Sequence, residues 1–581
     1  MKPAPRRWEL CSDPALDGFH PVLGRVFAGR GLDPAAAQSF LEVGVEHPPL
    51  GLLGMADAVI TLGVALTAGQ RIAIYGDYDA DGVTACALLT RGLREAGADV
   101  VPYIPNRMTE GYGLHAAALT ELAEQGVGCV VTVDCGTSSV AVAAGRPAGM
   151  SLVVTDHHLP LAPEGIPPAL APADALVNPK QPGCTYPFDG LAGAGVAWKL
   201  LVALEAEGLV PRGAADRQVG LAALGTVADM MPLLGENRAI VRRGLEQLAE
   251  SACPGLQALI QLAGVSGPLR ASDLAFGIGP RINAAGRMED ARLALDLLLA
   301  DDAEVARELA ARLNTQNATR QRAVAEALAD AERQVAELAD DLPAIVLGDA
   351  AWPMGIVGLV AGRIAERYAR PTFVACLDAT EAKGSARSVR GVHMVKALDA
   401  AAPALLRYGG HAAAAGFSLD ATRFNEFRDM VTAAVAAQLG GAPRERLFKV
   451  DAAVTLAELT PDLCGTLAAL EPCGQGNHQP LLALLDCEVL ATSTFGVARD
   501  HIRITLGDPD RDGGIAEAIA FNKPGLSAHL PRGRRVDACF AVELDTWQGV
   551  ERVRLRLRDI RPAKPVGATA PLVEEQVLVS V

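Results

Sequence analysis

The chain has 581 residues, half of them apolar, with 52 Lys and Arg against 68 Asp and Glu and so a formal charge of −16. That length suggests about four domains or large subdomains, the apolar content excludes wholesale disorder, and the acidic balance argues against a general nucleic-acid coat while leaving room for a local basic groove. Charged residues break every apolar run before the ~20 residues a membrane span requires, and the basic opening Met1–Glu9 has no apolar stretch behind it, so no membrane helix or signal peptide is expected and the cytoplasm is the expected location.

Residues 1–70 read as an Ala- and Gly-rich helical lead-in. Ile72–Tyr75, Val100–Ile104, Cys129–Val133 and Leu152–Thr155 are short apolar runs separated by helix-like stretches, the pattern of β-α-β units in a parallel sheet buried on both faces. From Asp301 to Leu342, Leu309, Leu313, Val324, Leu328, Val335 and Leu338 fall on helical spacing. One helix of ~40 residues would be ~60 Å long; the alternative is two helices with a turn near Asn314. Asn317 and Arg320 interrupt the apolar stripe, so the middle of this helix is expected to be wet and to span two domains. A mixed α/β region follows to about Gly441. Beyond Pro443, alternating runs such as Cys487–Leu490, His501–Leu506 and Arg552–Arg558 read as strands of a small antiparallel barrel, and the text after Arg561 as a linker or tail.

The sharpest chemical signal is GDYDADGVT directly after the first strand, with Asp77, Asp79 and Asp81 at alternate positions. These carboxylates repel one another unless a cation or donors neutralise them. The opening matches an EF-hand loop, but Leu88 stands where the bidentate Glu belongs and a strand, not a helix, precedes it. Two further strand ends give Val133-Asp134-Cys135-Gly136 and Thr155-Asp156-His157-His158, and a fourth Asp appears in Val227-Ala228-Asp229-Met230. A single Asp at a strand end is readily a helix cap. Three such ends converge on one crevice of an open parallel sheet, the usual place for a ligand. Carboxylates with imidazoles describe an O/N site suited to Mn²⁺ and able to accept Mg²⁺; eleven scattered cysteines without a CxxC pair fit reduced thiols better than zinc or disulfides.

Basic residues supply a second group. Arg281 and Arg287 lie in GPRINAAGR, read as a small-residue loop, Arg107 follows the second strand, and Ser385 and Arg387 occur in KGSARS. Guanidinium forks suit phosphate oxygens. Gly409-Gly410-His411 and the small residues after it allow close backbone approach to a ligand, with tight helix packing as the alternative. In the barrel, Phe495, Phe521 and Trp547, with Arg503, Arg534, Arg535, Arg554 and Arg556, are candidates to carry a single strand, although any one aromatic there, taken alone, suits a core better than a stacking platform.

The segments GDYDADGVT, TVDCGTSS, VTDHHLP and GTVADMMPL resemble the four motifs of the DHH phosphoesterase superfamily and, within it, those of the RecJ exonuclease family; PRINAAGRM, GSARSV and RYGGHAAAAGFS are similar to later segments of that family. The resemblance runs from about Gly51 to Arg561 and implies an α/β architecture: a lead-in at 1–50, a parallel-sheet DHH catalytic domain at 51–300, a connecting helix at 301–342, a mixed α/β DHH-associated domain at 343–442, an oligonucleotide-binding barrel at 443–562 and a linker or tail at 563–581. It implies two divalent metal ions, Mn²⁺ preferred or Mg²⁺, in a cleft between the two catalytic domains whose width the connecting helix fixes. Asp79 and Asp134 would hold one ion, and Asp81, Asp134, His157 and Asp229 the other, with Asp134 bridging, His158 facing the phosphate and Asp77 supporting the loop. Tyr75 stands where some members have a histidine, which bears on how tightly the first ion is held. Arg107, Arg281, Ser385 and Arg387 would hold a 5′ phosphate, with His411 beside DNA. The implied activity is 5′-to-3′ hydrolysis of single-stranded DNA to 5′-mononucleotides in DNA recombination and repair, by a monomer partnered with a single-stranded-DNA-binding protein and a RecQ-type helicase, away from membranes. The rival enzyme is a DHH phosphodiesterase for short oligonucleotides or cyclic dinucleotides, which would lack the barrel; the rival outside enzymes is a dead scaffold, which would have lost metal ligands.

Overall fold

The computed structural model describes residues 1–4, 6–11, 14–42, 46–107, 109–160, 166–265, 267–441, 445–497, 499–508, 514–547, 550–563 and 579–580. The chain divides into two compact units, one of residues 42–322 with 472–478, the other of residues 1–41, 323–471 and 479–581.

The first unit is built on a five-stranded parallel sheet in the order Val100–Tyr103, Arg71–Gly76, Val127–Val133, Ser151–Thr155, Ala175–Val177. Alternate residues of each strand feed separate cores, which is why the runs read as continuously apolar. Ile72, Ile74, Val131 and Val133 pack with Val83, Leu88 and Leu89 of the helix Ala80–Glu95 and with Trp198 and Leu201 of the helix Gly193–Ala206. Ala73, Tyr75, Val130 and Val154 join Leu119 and Leu122 of the helix Ala116–Glu124 on the opposite face. Because the chain moves from Arg71–Gly76 first to one flank and then to the other, the sheet has its switch point between Arg71–Gly76 and Val127–Val133, where an open α/β sheet leaves a crevice at the strand C-termini.

Gly279–Met288 is an α-helix, not a loop, preceded by a single π-turn at Leu274–Ile278. Pro280 in its first turn and the alanines that follow favour helix over the irregular path expected from small residues. The helix Ala303–Ala336 is continuous, without a break at Asn314, and carries the chain from the first unit into the second. Its middle is covered on one side and open on the other: Asn317 is buried, while Thr315 and Ala318 are exposed. Two of the polar side chains here are bonded by protein, Asn314 Oδ1 accepting from Arg281 Nε at 3.1 Å and Gln316 Nε2 donating to Glu289 at 2.7 Å, while Asn317 Oδ1 is buried without a hydrogen-bond partner. Among the described residues no helix is long and apolar enough to cross a membrane.

In the second unit, a mixed sheet runs Arg407–Gly410, Ala414–Asp420, Glu381–Arg387, Thr372–Leu377, Ile345–Asp349. The barrel strands Leu482–Phe495, His501–Gly507, Ile515–Ala520, Val550–Pro562 and Arg535–Trp547 pair in that order, and Leu482–Phe495 pairs back on Arg535–Trp547 to close the ring. The N-terminal segment contains a strand absent from the expected helical lead-in: Arg6–Leu10 pairs in parallel with Arg446–Val450. Residues 564–578 and 581 of the expected tail lie outside the described residues.

Candidate metal centre

The three strand ends and the C-terminus of the helix Ala214–Ala228 deliver the acidic and imidazole groups to one place. His157 Nε2 lies 3.1 Å from Asp134 Oδ1, 3.6 Å from Asp229 Oδ2 and 3.8 Å from Asp81 Oδ2. Ligand atoms of Asp77, Asp79 and Asp134 form a second group, each within 4.8 Å of the others, and Asp134 belongs to both groups. Asp134 Oδ1 and His157 Nε2 are buried without a hydrogen-bond partner. Oxygen and imidazole donors left unsatisfied in this way fit a hard or borderline divalent cation.

Burial and mutual repulsion dominate the electrostatics. Burial, then the charge of Asp79, pushes Asp81 up to about 7; burial, then Asp81 and Asp79, pushes Asp229 up to about 8. Asp134 and Asp77 are raised well above the usual carboxylate range, again by burial first and neighbouring aspartates next. Burial, followed by the charge of His158, lowers His157 to about 3, so it is a neutral imidazole, the form that ligates metal. His158 differs. Burial would lower it, but its hydrogen bond with Asp156 and that residue's charge outweigh burial and lift it to about 9.

Asp156 earns little notice in the sequence beside the histidines it precedes, yet it organises them. Oδ1 accepts from the N–H groups of His157 and His158 at 2.7 and 3.1 Å and contacts His158 Nδ1 at 2.9 Å, while Oδ2 accepts from Thr137 N at 3.0 Å. Tyr112 Oη also reaches His158 Nδ1, at 3.1 Å.

Asp81 is held from the helix Gly193–Ala206, whose first N–H groups, Gly193 and Ala194, donate to its two carboxylate oxygens at 2.7 and 2.9 Å. That helix N-terminus favours the anion. Two glycines leave room for the carboxylates: a Cβ on Gly193 would sit 2.5 Å from Asp134 Cβ, and one on Gly225 would sit 2.5 Å from Asp81 Oδ1. Asp79 caps the helix Ala80–Glu95, its Oδ1 accepting from Asp81 N and Gly82 N, while Asn283 Oδ1 accepts from Ala80 N at 2.9 Å. None of these supports announces itself as chemistry in the sequence; the small-residue run Ala192–Gly195 is the one visible signal of a close approach.

Of the basic candidates in this unit, Arg107 stacks over the Tyr78 ring at 4.8 Å. The Arg281 guanidinium donates to the carbonyls of Gly277 and Leu262, at 2.5 and 3.0 Å, besides Asn314. In the other unit, Arg387 Nη1 donates to Ser385 Oγ at 2.7 Å on the strand Glu381–Arg387, which pairs with Ala414–Asp420. His411 lies in the adjacent hairpin, its N–H bonded to Ala414 O at 2.8 Å; this stretch is strand and turn, not a packed helix. On the barrel, Phe495, His501 and Phe521 form a ring cluster, with Arg503 over Phe495 and Arg556 over Phe521, both at 5.7 Å. Arg535 pairs with Asp486, and Arg554 with Asp545; Arg534 Nη1 donates to His529 O at 3.0 Å. The side chain of Trp547 lies outside the described residues.

A parallel sheet whose strand ends gather aspartates around a neutral imidazole, with a second, charged imidazole beside it, defines a metal-dependent phosphoesterase of the DHH class. Residues 71–226 match the DHH family N-terminal domain, 341–437 the DHHA1 domain and 450–559 the RecJ OB domain. The chain is 40% identical over 589 residues to the single-stranded-DNA-specific exonuclease RecJ of Thermus thermophilus, covering 97% of this chain and 80% of that protein. It is 35% identical over 571 residues to that of Dickeya dadantii, covering 94% and 97%. The crystal structure of RecJ in complex with Mn²⁺ from Thermus thermophilus superposes with a TM-score of 0.80 at 32% identity, covering 97% of this chain and 81% of that one. The chain belongs to the RecJ family.

Proposed function

We propose that the chain hydrolyses single-stranded DNA from the 5′ end to 5′-mononucleotides, in DNA recombination and repair, at the cluster around His157. The observation that carries this reading is the convergence of Asp81, Asp134 and Asp229 on one imidazole nitrogen within 3.1–3.8 Å, in a chain whose relatives are named single-stranded-DNA-specific exonucleases. Asp79 and Asp134 would hold one divalent ion and Asp81, Asp134, His157 and Asp229 the other, with Mn²⁺ or Mg²⁺ as the ions. Bound there, such ions supply a deprotonated water and Lewis acidity toward phosphate oxygens.

The protein's own groups do the rest. Asp134 draws the two halves of the cluster together. Asp156 keeps His158 charged and oriented, so that its free ring N–H donates to a phosphate oxygen as negative charge builds there. Asp77, next to Asp79, supports the metal-binding loop. Arg107, Arg281, Ser385 and Arg387 are the residues assigned to a terminal 5′ phosphate, and His411 to DNA. The ring cluster at Phe495 and Phe521 suits stacking of a trailing single strand.

The domain division of 51–300, 301–342, 343–442 and 443–562 fits the family matches and serves as the working division, with 1–50 as lead-in and 563–581 as tail. A monomer in the cytoplasm, meeting a single-stranded-DNA-binding protein and a RecQ-type helicase, completes the reading. The rival phosphodiesterase for short oligonucleotides is not favoured, because the barrel matches the RecJ OB domain. Digestion of end-labelled single- and double-stranded DNA and RNA with Mn²⁺, Mg²⁺ or chelator tests the proposal. Mononucleotides released from the 5′ end of single-stranded DNA, with metal only, are expected; endonucleolytic or metal-independent cutting overturns it.

A further inference from the structure

Among the described residues of the unit that carries the cluster, only two residues other than glycine have positive φ: Asp134 at 63° and Met230 at 58°. Asp134 belongs to the cluster itself. Met230 follows Asp229 directly, where the helix Ala214–Ala228 ends with Met230 N–H bonded to Val227 O at 3.2 Å and Met231 N–H to Thr226 O at 3.1 Å. This closure places one residue in the left-handed region, a position glycine fills without steric cost. A methionine there carries the left-handed penalty, and 69% exposure means that little packing offsets it. Strain of this kind gathers where function requires a side chain.

The side chain does not suit the cluster's metal chemistry, since a thioether is a soft donor and the cluster's oxygens select hard cations. What it offers is a flexible, polarisable apolar surface, suited to the face of an aromatic ring. Every nucleotide whose phosphate reaches this centre brings such a ring, unpaired when the strand is single. A thioether reads no hydrogen-bond pattern and so accepts any base.

We propose that Met230 is a substrate-contacting residue, packing against the nucleobase of the nucleotide whose phosphate lies at the Asp–His cluster. This rests on the reading of the cluster as a nuclease centre and adds a base-binding surface to it. The test uses the full chain with Mn²⁺ and two 5′-phosphorylated single strands, one ordinary and one carrying an abasic tetrahydrofuran unit at its 5′ terminus. Wild-type release of mononucleotides from the ordinary strand checks the nuclease reading by itself. Met230→Gly is expected to melt at or above the wild-type temperature, because the turn is relieved, and to bind Mn²⁺ as wild type does by calorimetry. Its kcat/KM on the ordinary strand should fall about two- to ten-fold, the range of a lost sulfur–aromatic contact, while matching wild type on the abasic-ended strand; Met230→Leu, which keeps the apolar bulk without the sulfur, should give a rate between those of Met230→Gly and wild type. Unchanged rates on both strands, equal losses on both, or a loss explained by weaker Mn²⁺ binding overturn the proposal.

Discussion

Gly225→Ala puts the support of Asp81 under direct load. In a helix interior alanine is ordinarily preferred to glycine by about 0.5–1 kcal/mol, so this substitution would stabilise an unconstrained helix. Here the new Cβ would stand 2.5 Å from Asp81 Oδ1, 2.5 Å from Thr84 Oγ1 and 2.6 Å from the Ala194 Cβ. Contacts that short require shifts of nearly 1 Å to reach ordinary van der Waals separation. Asp81 and Thr84 are buried, and the Asp81 carboxylate cannot retreat without stretching its bonds from Gly193 N and Ala194 N. Overpacking of this sort costs about 1–3 kcal/mol, which outweighs the helix preference and leaves a net destabilisation of about 1–2 kcal/mol. The larger effect falls on chemistry: a catalytic group displaced by about 1 Å loses on the order of 100-fold in rate. Gly220→Ala in the same helix is the control, since its Cβ meets Gln247 and Leu248 and no carboxylate of the cluster. Melting, Mn²⁺ calorimetry and single-strand hydrolysis should show both variants destabilised and only Gly225→Ala impaired in metal affinity and turnover. A Gly225→Ala protein with wild-type Mn²⁺ affinity and turnover would refute the argument that this glycine exists to seat Asp81.

Asp134→Ala should abolish hydrolysis, by more than 10³-fold or roughly 4 kcal/mol in the barrier, because Asp134 belongs to both ligand groups; a folded variant with wild-type turnover would remove the basis for a shared carboxylate. Asp156→Asn should leave Mn²⁺ bound but slow turnover more at pH 8 than at pH 6, since without that charge His158 falls from about 9 toward the ordinary value near 6.5; loss of Mn²⁺ binding, or equal slowing at both pH values, would count against its role through His158. His158→Ala should likewise retain at least one ion while His157→Ala loses metal, and calorimetry showing equal loss would merge the two roles. Metal-free protein should lose thermal stability as pH rises. Asp81 and Asp229 have raised values, so the native state holds protons that the unfolded chain has released above about pH 4, and their stabilising contribution disappears as pH passes through about 7 and 8. Melting in chelator between pH 5 and pH 9 checks the sign, and a melting temperature that climbs across this range contradicts it.

The strands before Asp77, Asp134 and Asp156 were legible because burial on both faces makes each run continuous, and because three such ends carrying carboxylates, one followed by paired histidines, exceed what helix capping alone requires. The sheet edge Ala175–Val177 is too short to register as a strand. Arg6–Leu10 could not be foreseen as a strand, because its partner Arg446–Val450 lies at the far end of the chain and β pairing depends on the partner more than on local propensity. Asn317 shows a related limit. A polar residue in an apolar stripe signals water only where the fold leaves that face open, and Asn317 is covered although Arg281 and Glu289 bond its neighbours Asn314 and Gln316 and not its own side-chain oxygen. The supports of the cluster were the least visible. Gly193, Gly225 and Asn283 act through a backbone N–H, a missing Cβ and a single carbonyl oxygen, properties that composition and spacing do not distinguish from ordinary packing.

The charge of the chain sharpens what the cluster has to accomplish. Five carboxylates, Asp77, Asp79, Asp81, Asp134 and Asp229, crowd the crevice of a protein already at −16, a field that repels a polyanionic strand. The raised values of Asp77, Asp81, Asp134 and Asp229 show that in the absence of cations the site lowers its own charge by holding protons. Divalent cations compete for the same oxygens, so binding them releases protons and turns a repulsive crevice into one that accepts phosphate. The helix N-terminus on Asp81 and the backbone donors on Asp156 contribute the part of the field that does not depend on metal. They orient those carboxylates through bonds that need no metal, so that part of the site is set by the fold itself.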